Sequence, residues 1–168
     1  AVDYIKSLNT NITKQTELQF DSKQAKEMIS KYGIEKVPAI IITGQIEKIS
    51  AEGMEKKKDA LLIAPNPPYT DALTGKIEGR VTLFVLKDPS CLKCNDLTPL
   101  ISQIKAAGVM ISEERKITAG SAEGKELISK YKLDFAPAII LSKDAAVYGI
   151  VQQAWPGIGT KESDGSYV

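Results

Sequence analysis

The sequence predicts an α/β protein of two tandem units, each a central mixed sheet with flanking helices, the first unit incomplete at its N-terminus. Three observations carry this. Apolar runs of strand length alternate with amphipathic segments of helix length. A stretch recurs at a fixed offset of 99 residues (125 − 26, 137 − 38). The two cysteines of the chain stand together, Cys91-Leu92-Lys93-Cys94, directly after one of the apolar runs.

The elements of the second unit follow in order. Val81 to Leu86 is an apolar run of buried-strand length. Leu92 to Ala107 reads as a helix ended by Gly108. Val109 to Ile117 reads as a strand. Ser121 to Tyr131 carries Leu127, Ile128 and Tyr131 at helical spacing among Ser, Glu and Lys, the pattern of an amphipathic helix. Pro137 precedes the apolar strand Ala138 to Leu141, and Ala146 to Ala154 is expected to add a further strand.

The repeat locates the first unit. Lys26-Glu27-Met28-Ile29-Ser30-Lys31-Tyr32 matches Lys125-Glu126-Leu127-Ile128-Ser129-Lys130-Tyr131, and Val37-Pro38-Ala39-Ile40-Ile41-Ile42 matches Ala136-Pro137-Ala138-Ile139-Ile140-Leu141. The same register aligns Ile12 with Ile111 and Ile5-Lys6 with Ile104-Lys105. Carried back further, the position of Cys91 falls before Ala1. The first copy is therefore expected to lack its first strand and most of its first helix, with Ala1 to Leu8 as that helix's end. A unit so reduced has an open sheet edge. Ala64-Pro65-Asn66-Pro67-Pro68-Tyr69 cannot continue a helix or a central strand, and Thr74-Gly75 reads as a turn. The expected organisation is a domain over 1–66, a cysteine-bearing domain over 67–155 and a tail over 156–168.

Composition narrows the chemistry. The 168 residues are 43% hydrophobic and 26% charged with a net charge of +1, so charge suggests neither a nucleic-acid nor a membrane-surface partner. Lys56-Lys57-Lys58 lies between Glu55 and Asp59 and reads as a solvated face. No apolar run approaches the roughly 18 residues of a membrane span. With no histidine, imidazole acid–base catalysis, His-based triads and most zinc sites are excluded.

The cysteine pair holds the remaining chemistry. At a strand-to-helix junction, helix amides and the helix dipole stabilise the thiolate of the first cysteine, and Lys93 adds positive charge. The second cysteine is close enough to form a disulfide. Three readings stay open on the residues alone: a redox-active dithiol, a static disulfide or inactive relic, and two thiolates holding a soft ion such as Cu(I). Asp88 reads as a loop carboxylate or helix cap, with a proton acceptor for the thiol pair as the alternative. Tyr32 and Tyr131 read as core residues at helix ends, and Trp155 as packing.

Together, the order of elements, Cys91–Cys94, Pro99 five residues after Cys94 and Pro137 before a strand resemble the thioredoxin-like superfamily. The doubled unit looks most like the two-domain disulfide oxidoreductases related to protein disulfide isomerase and glutaredoxin. The resemblance implies two tandem thioredoxin-like units and a thiol–disulfide oxidoreductase acting on protein dithiols and disulfides. Cys91 would be the attacking thiolate, Cys94 the resolving thiol, and Pro137 a cis-proline facing them. Ala136, Leu92 and Lys93 would line the substrate site. Pro38 would be cis as well, with no cysteine beside it. No cofactor and no resident metal are implied.

The sequence departs from the family at several points. Pro89-Ser90 stand where a tryptophan is usual, Leu92-Lys93 replace Gly-Pro, Val85 occupies the place of the buried acid, and Trp155 to Thr160 do not read as the closing helix. The alternative is a non-catalytic tandem module with a structural disulfide, used for binding or assembly. Expected partners are protein or peptide thiols and disulfides, with self-association through the incomplete first domain. Because Ala1 is not a start methionine, an extracytoplasmic or secreted location is expected, with the cytoplasm as the alternative.

Overall fold

The computed structural model describes residues 5, 7, 10–47, 49 and 52–168. Among them it is a mixed α/β structure with three small sheets and four α-helices. The chain divides into two compact units, Ala1–Lys76 and Ile77–Val168.

In the first unit, Ala25, Met28, Ile29 and Tyr32 stand at i, i+3, i+4 and i+7, one stripe of a helix. They form α1 (Lys23–Tyr32). Ser22 caps it, its hydroxyl accepting from the Ala25 amide, and Gly33 ends it in the left-handed conformation at φ 60°. Met28, Ile29 and Tyr32 of the stripe cluster with Ile34, Val37, Ala39, Ile41, Ala60 and Leu62. Strand β1 (Lys36–Val37) pairs antiparallel with β5 (Tyr69–Asp71). Strand β4 (Ala60–Ile63) is the centre of a second sheet, antiparallel to both β2 (Ile40–Thr43) and β3 (Met54–Lys57). The Thr74-Gly75 turn is closed by Asp71, which accepts from the Thr74 amide and hydroxyl at 2.6 and 2.8 Å. Ile5 and Ser7 are helical, and the rest of the expected Ala1–Leu8 helix end lies partly outside the described residues. Residues 10–19, which include the counterpart of Ile111, form no strand.

The second unit begins with β6 (Ile77–Glu78) and centres on β7 (Val81–Lys87), which lies parallel to β8 (Ile111–Thr118) and antiparallel to β9 (Ala138–Leu141). Its near-continuous apolar run is explained by burial, since Val81, Leu83, Val85 and Leu86 are all fully enclosed. Helix α2 (Thr98–Ala106) makes the crossover from β7 to β8 and brings Leu97, Leu100, Ile101 and Ile104 onto the core. Helix α3 (Ala122–Tyr131) follows β8, capped by the Ser121 hydroxyl, which accepts from the Gly124 amide at 3.0 Å.

Two expected elements are corrected. The helix foreseen over Leu92 to Ala107 begins only at Thr98. Pro99 has no N–H to give and starts a helix more readily than it continues one. The carboxylate of Asp96 also receives the Thr98 amide and hydroxyl at 3.0 and 2.7 Å. Ala146 to Ala154 is not a strand: Lys143–Val147 is a 3-10 turn and α4 (Gly149–Ala154) is helical. Tyr148, Val151 and Trp155 are the buried residues there, and their spacing of three and four is helical, not alternating.

Beyond α4, Trp155–Gly157 is a further 3-10 turn, and the last residues form a small hairpin against β9. The main chains of Leu141 and Tyr167 exchange hydrogen bonds at 2.8 and 3.0 Å, as do those of Thr160 and Val168 at 2.8 and 2.9 Å. Tyr167 packs edge-on against Trp155, ring centroids 5.7 Å apart.

The 99-residue offset can be followed in the local geometry of the two units. Ser22 and Ser121 cap equivalent helices, and Gly33 and Lys132 end them, both in the left-handed region. The Val37–Pro38 and Ala136–Pro137 bonds are both cis. Each helix ends in a Lys-Tyr pair held by an aspartate of a following hairpin turn. Lys31 reaches Asp59 at 3.2 Å, and Lys130 reaches Asp164 at 2.7 Å.

Candidate functional site

The candidate site sits at the end of β7, where the chain leaves the sheet before α2 starts. Cys91 and Cys94 are joined as a disulfide, Cα atoms 5.5 Å apart, and both residues are exposed. Residues 91–97 are not helical. Cys91 therefore does not open a helix, and the dipole argument for a thiolate in a helix's first turn does not apply to this conformation.

Carboxylates hold the loop instead. Asp88 accepts from the Ser90 amide at 2.9 Å and its hydroxyl at 2.6 Å, and the Asp88 carbonyl accepts from the Cys91 amide at 3.1 Å. Asp88 thus acts as a loop carboxylate. Asp96 does the corresponding work at the far end through Thr98. The Ser90 hydroxyl and amide hold the Asp88 carboxyl below its ordinary range, and the Thr98 amide and hydroxyl do the same for Asp96. Both ends of the loop are anionic at neutral pH.

The expected residues converge in part. The Cys94 sulfur lies 3.5 Å from the Ala136 carbonyl oxygen, which brings the Ala136–Pro137 bond to the disulfide across 42 residues of chain. In the oxidised state that sulfur has no proton to donate, so the approach is a contact; once reduced, the thiol can donate to the carbonyl. Ala136 and Pro137 are half-buried. Leu92 is 95% exposed and Lys93 is exposed, so both stand on the outside of the loop. Val85 is fully enclosed in the core.

Two residues of the site were missed in the sequence. Phe135 is 84% exposed beside Ala136, an apolar side chain left in solvent. Asp96 closes the loop, and the run Asp96-Leu97-Thr98-Pro99 was its available signal, since an aspartate two residues before a Thr-Pro pair is a common way to open a helix.

The chain matches no known protein family, no curated protein and no solved structure.

Proposed function

We propose that the chain is a thiol–disulfide oxidoreductase of thioredoxin-like build, in two tandem units of which the second carries the chemistry. The observation that carries this reading is an exposed disulfide whose Cys94 sulfur touches the Ala136–Pro137 loop. Exposure makes the sulfurs attackable, and the loop offers main-chain groups beside them. Support for the build comes from the strand order β8-β7-β9, with the cysteine loop leaving the central strand. The shared caps and Lys-Tyr-Asp clamps of the two units support the tandem reading.

The exchange balances within the pair. In the reduced chain, the Cys91 thiolate attacks one sulfur of a partner disulfide, that bond breaks, and a partner thiolate leaves. Cys94 then loses its proton and attacks the Cys91 sulfur of the mixed disulfide, releasing the second partner thiolate. Two electrons pass to the partner, and the Cys91–Cys94 bond forms. With no helix N-terminus at Cys91 to stabilise the thiolate, the disulfide form is favoured, which suits a donor of electrons more than an oxidant.

The test is the equilibrium reduction potential of the pair with trapping of the mixed disulfide. The expected potential is near that of a reductant, about −270 mV. A Cys94→Ser variant should accumulate a mixed disulfide with a small disulfide-containing peptide, and Cys91→Ser should not. A potential below about −300 mV with no trapped species would identify a structural disulfide and overturn the reading.

A further inference from the structure

The two sulfurs of the pair have unequal surroundings. The Cys94 sulfur lies 3.5 Å from the Ala136 carbonyl oxygen, a group that accepts hydrogen bonds and donates none. Once the pair is reduced, that oxygen favours the Cys94 thiol over its thiolate. Only the protonated sulfur has a hydrogen to share, and the negative end of the C=O dipole opposes a further negative charge. The side chains around the loop are poorly suited to take the proton away. The chain has no histidine. The Asp88 carboxylate is turned to Ser90 and that of Asp96 to Thr98, and both are held ionised by those donors. The other charged groups are Lys93 within the loop, Lys87 at the end of β7, and Lys132 and Asp134 ahead of Ala136. All are exposed, of mixed sign and screened by water.

We infer that the Ala136 carbonyl is a positioning group that keeps Cys94 protonated, so that exchange pauses at the mixed disulfide between Cys91 and its partner. The inference deepens the thiol–disulfide reading and rests on it. The pause falls in the second half of the exchange. There Cys94 gives its proton to water or hydroxide, its sulfur attacks the Cys91 sulfur, the bond from Cys91 to the partner breaks, and the partner leaves as a thiolate. The first half needs only the Cys91 thiolate, whose thiol opens no helix and ionises near the ordinary value of about 8.5. Attack therefore levels off near that pH, while release goes on rising about ten-fold per pH unit beyond it. A partner is held covalently for longest at neutral pH and below, and is let go faster as pH rises.

The probe is dithiobis-nitrobenzoate, a symmetric aromatic disulfide whose thiolate is coloured, mixed in slight excess with the reduced full chain by stopped flow. Two releases of colour are expected. The first quickens with reagent concentration and levels off near about pH 8.5. The second is slower, is independent of reagent concentration, and still climbs at least about one pH unit higher. Cys94→Ser should keep the first release and lose the second. In a Cys91→Ser chain, the isotope-labelled carbonyl carbon of Ala136 should change its NMR shift as Cys94 ionises, a signal that mere packing of the loop does not give. Release that levels off together with attack, two releases that coincide, or an Ala136 carbonyl indifferent to Cys94 would each overturn this inference and leave the oxidoreductase reading standing. Absence of the first release would overturn both.

Discussion

Two tyrosines of the second unit show how much a single hydroxyl decides. The Tyr148 hydroxyl donates to the Gly79 carbonyl at 2.6 Å and accepts from the Met110 amide at 3.0 Å, tying the entry of β7 to that of β8. The Tyr167 hydroxyl is buried and, among the described residues, has no partner. Removing an oxygen that satisfies two main-chain groups leaves both orphaned, whereas removing an unpaired one relieves a desolvation cost. Tyr148→Phe should therefore destabilise the chain by about 1–3 kcal/mol, and Tyr167→Phe should be neutral or stabilising by up to about 1 kcal/mol. Denaturant unfolding of the two variants side by side checks both signs. Neither difference was legible in the sequence, where both residues are tyrosines near the end of the chain. Which hydroxyl finds a partner depends on residues 38 and 69 positions away.

Among the elements, the equivalent helices α1 and α3 end differently in one residue. Gly33 takes the left-handed conformation freely, while Lys132 holds it at φ 51° with a Cβ in the way. Lys132→Gly should stabilise the second unit by about 1 kcal/mol, and Gly33→Ala should cost the first unit a similar amount, both read from thermal unfolding. A tighter constraint lies at the other end of α3. A Cβ on Gly124 would come within 2.2 Å of the Thr118 carbonyl oxygen, so Gly124→Ala forces the helix off the end of β8 and should cost about 1–3 kcal/mol in the same assay. Much of this level was readable in advance. The 3.6-residue stripe of both helices, the serine caps and the apolar runs of β7 and β9 need only local pattern. The start of α2 was misjudged because Leu97, Leu100, Ile101 and Ile104 continue a helical stripe whose N-terminal limit is set by Pro99 and the Asp96–Thr98 bonds. Helix α4 was misjudged because the short run Ala146 to Val151 fits either period until the burial of Tyr148, Val151 and Trp155 distinguishes them.

For the molecule as a whole, charge couples the closing hairpin to pH. The Lys130 ammonium beside Asp164 is the main cause that holds that carboxyl well below its ordinary value of 3.8, helped by the Ser166 amide. Asp164 in turn raises Lys130 above 10.5, together with the Tyr131 hydroxyl. A carboxyl with a depressed folded-state value adds stability above its unfolded value and loses it as pH falls through the window below about 3.8. A lysine with a raised value adds stability below about 10.5 and loses it as pH rises past that. Hydrogen exchange at Thr160 and Tyr167 should therefore quicken at both extremes, and Asp164→Asn should flatten both limbs. Both side chains are partly exposed, so salt should weaken the effect. At this scale the sequence was informative on the α/β class. It was silent on the hairpin of residues 160–168, whose pairing with β9 rests on main-chain bonds rather than on any side-chain period.

The loop that carries the disulfide stands apart from everything that keeps the second unit folded. Neither sulfur belongs to the buried cluster around Val81, Leu83 and Leu141. The loop's own bonds run to Asp88 and Asp96 at its two ends, and among the described residues the Cys94–Ala136 contact links a sulfur to another part of the unit. The sulfur–sulfur bond thus lies outside the packing of the core. If the proposed exchange takes place, electrons would be loaded and unloaded at the rim of the unit, away from the buried cluster.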